Sequence, residues 1–289
     1  MRSPSLFSPA NFLLPMSKLL KSLLVFASLS WCADYRIEAN IRYDHYPETV
    51  LDVLQPVAPA LKNRPGVMVI HGGGWIQGDK ESVVDKYCVP FVQHGMVVAN
   101  VEYRLAKAAT APAAVNDVLK AAQWLRDRAT DYKVDPNQII VMGGSAGGHL
   151  ALMVGMTPAS ADLGSTGKIA AVIDFFGITD VGDQLEGPHL REYAVTWIPE
   201  QPGRMDLARR LSPMTYVRKG LPPILSVHGD ADQNVPYDHS VRLINALKSA
   251  GDDAELITVP GGRHGFTPDE LSKLWPQIFK WLKKHKITT

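Results

Sequence analysis

A chain of 289 residues with 46% hydrophobic and 20% charged side chains has the profile of a globular protein near the upper size of a single domain. Its formal charge of +1 excludes the basic stripe that binding a phosphate backbone requires, so no nucleic-acid partner is expected. Two cysteines, Cys32 and Cys88, exclude both a disulfide framework and a Cys/His zinc site.

Residues 1–33 read as a secretory signal peptide, with translation starting at Met1 or Met16. Lys18 and Lys21 precede an apolar run from Leu23 to Leu29, and Ser28 and Ser30 offer small residues for cleavage between Ser30 and Ala33. The run is short of the roughly 20 residues a membrane span needs. Export to a bacterial periplasm or the medium is therefore expected, with no stable membrane span.

From Tyr35 onward short apolar runs alternate with amphipathic stretches, the mark of a mostly parallel sheet covered on both faces within one domain, 34–289. Strands are predicted at VMVIH (67–71) and MVVANVEY (96–103). A helix is predicted over 112–128, then strands at 138–142, 170–175 and 224–227. A helix near 239–249 and a strand at 254–259 follow. Thr267-Pro268-Asp269-Glu270 is a capping box that opens the last helix. The alternation lapses over about 177–219, a short insertion expected to form a lid or substrate wall. Cys88, in KYCVPF, reads as a small buried apolar residue.

The unusual residues fall at the ends of predicted strands, where an open parallel sheet places its functional loops. Gly143-x-Ser145-x-Gly147 joins a strand to a helix, the context that turns this pattern into a nucleophile elbow. A phosphate loop would want a following lysine, and none is present. A serine hydroxyl needs a base, and the base an orienting carboxylate. Beyond Asp232, His239 and His285 read as solvated, whereas His264 sits in a glycine-lined loop at a strand end. Asp230 and Asp232 compete for the carboxylate; Asp232 lies further from its strand and nearer the rim where His264 should stand. His71-Gly72-Gly73-Gly74 lets backbone amides of Gly73 and Gly74, with that of Ala146, aim at a developing oxyanion. Trp75 either walls a substrate pocket or packs in the core, packing being the commoner fate of such a residue. His71, His149 and His228 read as makers of structural hydrogen bonds.

HGGGW, Tyr103-Arg104-Leu105 with the Pro112-Ala113-Ala114 helix start, GGSAGGHLA, HGDADQNVP and GGRHGF together resemble the α/β-hydrolase superfamily. Within it they are most similar to bifunctional feruloyl/acetyl-xylan esterases, related to hormone-sensitive-lipase-like carboxylesterases. The resemblance spans roughly Tyr35 to the C-terminus. It implies an α/β-hydrolase fold, with Ser145 as nucleophile, Asp232 as acid, His264 as base, and Gly73, Gly74 and Ala146 as the oxyanion hole. It also implies an acyl-enzyme route that needs no metal or organic cofactor, acting on a small-molecule or oligosaccharide ester. Two features depart from the hormone-sensitive-lipase pattern. Gly144 stands where that group has Asp in Gly-Asp-Ser-Ala-Gly-Gly, and little chain precedes His71 for that group's helical cap.

Two other classes share the scaffold. A serine peptidase of the prolyl-oligopeptidase kind has the same triad order but normally adds a propeller domain. An inactive binding module would lack a working triad. The oligomeric state is left open by the sequence.

Overall fold

The computed structural model describes residues 35–60, 63–164 and 167–287. The expected signal peptide lies outside the described residues. Eight strands form one sheet: β1 (Tyr35–Arg42), β2 (Val50–Pro56), β3 (Arg64–Ile70), β4 (Val97–Val101), β5 (Val134–Gly144), β6 (Ala171–Phe175), β7 (Ile224–Gly229) and β8 (Ala254–Val259). Their order across the sheet is β1-β2-β4-β3-β5-β6-β7-β8. Strands β1 and β2 pair antiparallel, as do β2 and β4, whereas every pairing from β4 to β8 is parallel. Parallel strands covered on both faces read as unbroken apolar runs rather than alternations, and VVANV in β4 and ILSVHG in β7 are buried at every position.

Helices cover both faces. Packed into one core are α2 (Ala113–Asp127), α3 (Ala146–Met156) and α6 (Asp238–Ala250), through Val118, Leu150 and Leu243 among others. The opposite core receives α1 (Val89–Gln93) and α7 (Pro268–Lys284), through Phe91, Leu274 and Ile278. Helix α7 begins with the predicted capping box: Glu270 N–H donates to Thr267 Oγ1, and Thr267 N–H donates to Glu270 Oε2 at 2.7 Å. This is an α/β-hydrolase fold.

The antiparallel pair β1–β2 extends beyond the elements predicted above. Strand β1 is an edge strand whose residues are mostly exposed, although YRIEANIR alternates apolar and polar residues at every position. The stretch 177–219 contains the short helices α4 (Glu192–Trp197) and α5 (Arg204–Arg210). Ala194, Trp197, Ile198, Ala208 and Leu211 bury themselves in the core, which anchors the insertion along its length. Among the described residues no helix is long and apolar enough to cross a membrane, and no cluster of three His, Cys, Asp or Glu side chains is placed to hold a metal ion.

Candidate active site

Strand β5 runs out at Gly144, and α3 starts at Ala146, so the whole change of direction falls on Ser145. Its backbone sits at φ 59° and ψ −122°, a conformation that side-chain-bearing residues rarely adopt. The strain is held by register: Ser145 N–H donates to Phe175 O at 2.8 Å, tying the turn to the end of β6. A Cβ on Gly147 would lie 2.2 Å from Ile70 O, and one on Gly143 would lie 2.3 Å from Gly147 O. Glycine is therefore obligatory on both sides of the serine, and the turn lifts Oγ above the sheet edge.

The loops after β7 and β8 meet that hydroxyl. Ser145 Oγ is 2.8 Å from His264 Nε2, and His264 Nδ1 is 2.7 Å from Asp232 Oδ2. Asp232 is enclosed by donors. His228 Nε2 lies 3.2 Å from the same Oδ2, while Oδ1 accepts from the amides of Asn234 (2.8 Å) and Val235 (3.1 Å). Burial alone would raise its pKa, yet the hydrogen bonds from His228, His264 and Asn234 outweigh that and hold the carboxyl well below its ordinary range. Asp230, its rival in the sequence, instead accepts from Gly261 N–H at 2.7 Å and pins two loops together. His228 completes its own bonding with Val235 O and Ser240 Oγ.

Gly73 and Gly74, both at positive φ, border the cleft beside Ser145. Ala146, as the first residue of α3, has no preceding helical carbonyl to bond, and its amide stands at the positive end of the helix. Beneath this loop His71 bridges Gly72 O (2.8 Å) and Glu102 Oε1 (3.0 Å), fixing the glycine run from below.

The structure decides the alternative left open for Trp75 and corrects the reading of His239. Trp75 is fully buried and does not line the cleft. It stacks on Trp197 at 4.2 Å, and its Nε1–H donates to His149 Nδ1 at 3.2 Å. His149 donates its Nε2–H to Leu211 O (2.7 Å), and burial pushes its pKa down to about 4, so the ring is a neutral structural link. His239, read as solvated, is buried: its Nδ1 accepts from Thr179 N–H at 3.1 Å and its Nε2 faces Asp183 at 3.0 Å. Both residues are claimed by partners distant in sequence. Cys88 is buried as expected, and burial pushes its thiol pKa up, away from reactivity.

The BD-FAE family model matches residues 51–247, which contain the elbow and the Asp232 loop. The chain belongs to the BD-FAE family. Among curated relatives, esterase LipQ of Mycobacterium tuberculosis is 28% identical over 76% of this chain. The chain spans 54% of LipQ, just over half its length. Among solved structures, a truncated carbohydrate esterase from gut microbiota superposes with a TM-score of 0.75 at 26% identity, covering 86% of this chain and 96% of its own. Esterase 2 of the planctomycete Thermogutta terrifontis, solved with butyrate bound, gives a TM-score of 0.73 at 27% identity, covering 89% and 96%. The same enzyme has been captured phosphonylated by sarin. Ser145, His264 and Asp232 stand in the arrangement of a nucleophile, a base and an orienting carboxylate.

In this BD-FAE chain the cleft above Ser145 has a volume of about 460 Å³. Its walls include residues that sequence reasoning missed. Tyr193, from the 177–219 insertion, packs against Gly74 and donates its hydroxyl to Gln184 Oε1 at 2.8 Å. Phe176 lies edge-on to the His264 ring at 4.8 Å. Gln77, Ser82, Lys86 and Tyr87 form a further wall from the segment after the glycine loop. Phe176 directly follows β6, whereas Tyr193, Ser82, Lys86 and Tyr87 stand neither in a glycine cluster nor at a strand end that would have marked them.

Proposed function

We propose that this protein hydrolyses carboxylic esters through an acyl-enzyme. The observation that carries the reading is the continuous hydrogen-bond line from Ser145 Oγ through His264 to Asp232, with contacts of 2.8 and 2.7 Å. Ser145 attacks the ester carbonyl as His264 Nε2 takes its proton. Asp232 holds the ring so that Nδ1 keeps its own proton and Nε2 is free to act as the base. The amides of Gly73, Gly74 and Ala146 receive the oxyanion. His264 then protonates the departing alcohol, and water activated by the same ring releases the acid.

Acetyl or feruloyl esters of plant polysaccharides are the proposed substrates, and secretion directed by residues 1–33 is the proposed route to them. A cleft edged by Gln77, Ser82, Lys86 and Asn234 offers the hydrogen-bonding walls a carbohydrate requires, and the carbohydrate esterase among the structural neighbours supports the same class. The test is turnover of 4-nitrophenyl acetate, together with release of acetate and ferulate from xylan fragments, by the wild-type protein and Ser145→Ala. Loss of nearly all activity in the variant, with fluorophosphonate labelling of the wild type alone, is expected. Full activity in Ser145→Ala overturns the mechanism. Cleavage of peptides in place of esters overturns the substrate class.

A further inference from the structure

Position 144 is glycine where the hormone-sensitive-lipase pattern has aspartate, and the structure shows what uses the vacated space. A Cβ on Gly144 would lie 2.9 Å from Tyr87 Oη and 3.4 Å from the Phe176 ring. Tyr87 belongs to a wide π-helical turn, Val84–Cys88, of the kind that recurs at functional sites. Its ring packs edge-on to Phe175 at 5.5 Å, and only 5% of the residue is exposed.

The hydroxyl is different from the ring. It borders the cleft together with Gly144 and Ser145, and it has no hydrogen-bond partner among the described residues. A hydroxyl that faces the cleft without a protein partner is free to donate to a ligand. Burial also pushes the phenol pKa up, so the group stays a neutral donor throughout the working pH range. The Phe176 ring that flanks Gly144 also touches His264. Tyr87 and Phe176 thus border the same residue, Gly144, and Phe176 in turn meets the ring that hands its proton to the leaving alcohol. Gln77, Ser82 and Lys86 continue the same wall, and no carboxylate lines the cleft among the described residues.

We infer that Tyr87 is a specificity-determining residue: its hydroxyl, admitted by Gly144, donates a hydrogen bond to a free hydroxyl next to the ester on the alcohol arm of the substrate. The favoured substrate class is then a partly acylated sugar or polyol. This rests on the ester-hydrolase reading above.

The test compares methyl 2-O-acetyl-β-xylopyranoside with its 3-deoxy counterpart, using the full chain and Tyr87→Phe and following acetate release. Phenylalanine keeps the packing against Phe175, and fluorophosphonate labelling confirms that the variant's elbow is intact. Wild type is expected to favour the hydroxylated ester. Tyr87→Phe is expected to lose about 3- to 10-fold more kcat/KM on that ester than on the deoxy one, the worth of one neutral hydrogen bond. Equal losses on the two esters, or no preference in the wild type, overturn the inference. So does discrimination that appears only when the hydroxyl is moved to the acyl arm. In each of those cases, turnover of 4-nitrophenyl acetate by the wild type leaves the ester-hydrolase reading standing. Absence of both that turnover and Ser145 labelling removes the reading and the inference together.

Discussion

His228 and His264 share one oxygen: Asp232 Oδ2 lies 3.2 Å from Nε2 of the first and 2.7 Å from Nδ1 of the second. The shorter bond goes to the ring that meets Ser145. The longer one anchors the carboxylate to the end of β7, because His228 is itself fixed by Val235 O and Ser240 Oγ. His264 is therefore oriented by a group that cannot turn away from it.

His228→Phe tests that arrangement. It removes one donor from a charged acceptor and leaves Ser240 and Val235 O without their partner. Expected are a drop in kcat of about 10- to 100-fold with a smaller effect on KM, the worth of one charge-assisted hydrogen bond, and a lowered Tm. Steady-state kinetics on 4-nitrophenyl acetate and thermal unfolding check both. An unchanged kcat would mean that the amides of Asn234 and Val235 hold Asp232 unaided.

Asp232→Asn separates charge from shape. The amide nitrogen, placed at Oδ2, would face two imidazole N–H donors, and His264 would flip to the tautomer that cannot accept from Ser145. A fall in kcat of about 10³- to 10⁴-fold with labelling by fluorophosphonate slowed in proportion is expected. Asp230→Asn, by contrast, touches only the Gly261 amide; it should cost stability rather than chemistry.

Legibility in the sequence followed where the physical cause was local. Ser145, Asp232 and His264 stand in glycine-rich loops at strand ends, and the strands themselves announced their places by apolar runs, so each loop could be read from within about ten residues. The capping box of α7 is equally local. Trp75 stayed open and His239 misled because their partners are remote: Trp197 meets Trp75 across the insertion, and Asp183 meets His239 from the same stretch. Tyr87 was illegible for the same reason. Only the folded chain brings its hydroxyl to the space above Gly144.

Trp75→Phe distinguishes packing from substrate contact. The smaller ring still stacks on Trp197 but leaves His149 Nδ1 without its donor. The expected cost is about 1–3 kcal/mol, or a Tm lowered by roughly 2–4 °C for each kcal/mol in a chain of this size. KM for short acyl esters should stay where it is. A raised KM with an unchanged Tm would return Trp75 to the substrate wall.

Asp174 sets a pH dependence of stability that is independent of the triad. It is fully buried on β6, accepting from Gly177 N–H and Ser226 Oγ–H at 2.8 Å each. Burial raises its pKa from 3.8 to about 6 against the lowering effect of those bonds and of His228. The folded pKa lies above the unfolded one, so the native state holds this proton more tightly. The stabilisation is fully present below pH 3.8 and is lost as pH rises through about 6; above that, the ionised carboxylate is a net cost to the fold. Asn is neutral and nearly isosteric, can still accept from Gly177, and can donate to Ser226 once that hydroxyl rotates. Asp174→Asn should therefore gain Tm relative to wild type as pH rises from about 4 to about 6, with the difference level above that and amounting to a few degrees at pH 8. Thermal unfolding at half-unit pH steps measures it. A difference that is flat with pH would show that Asp174 ionises in the fold as easily as in the open chain, and one that shrinks toward pH 8 would show a charged partner for it.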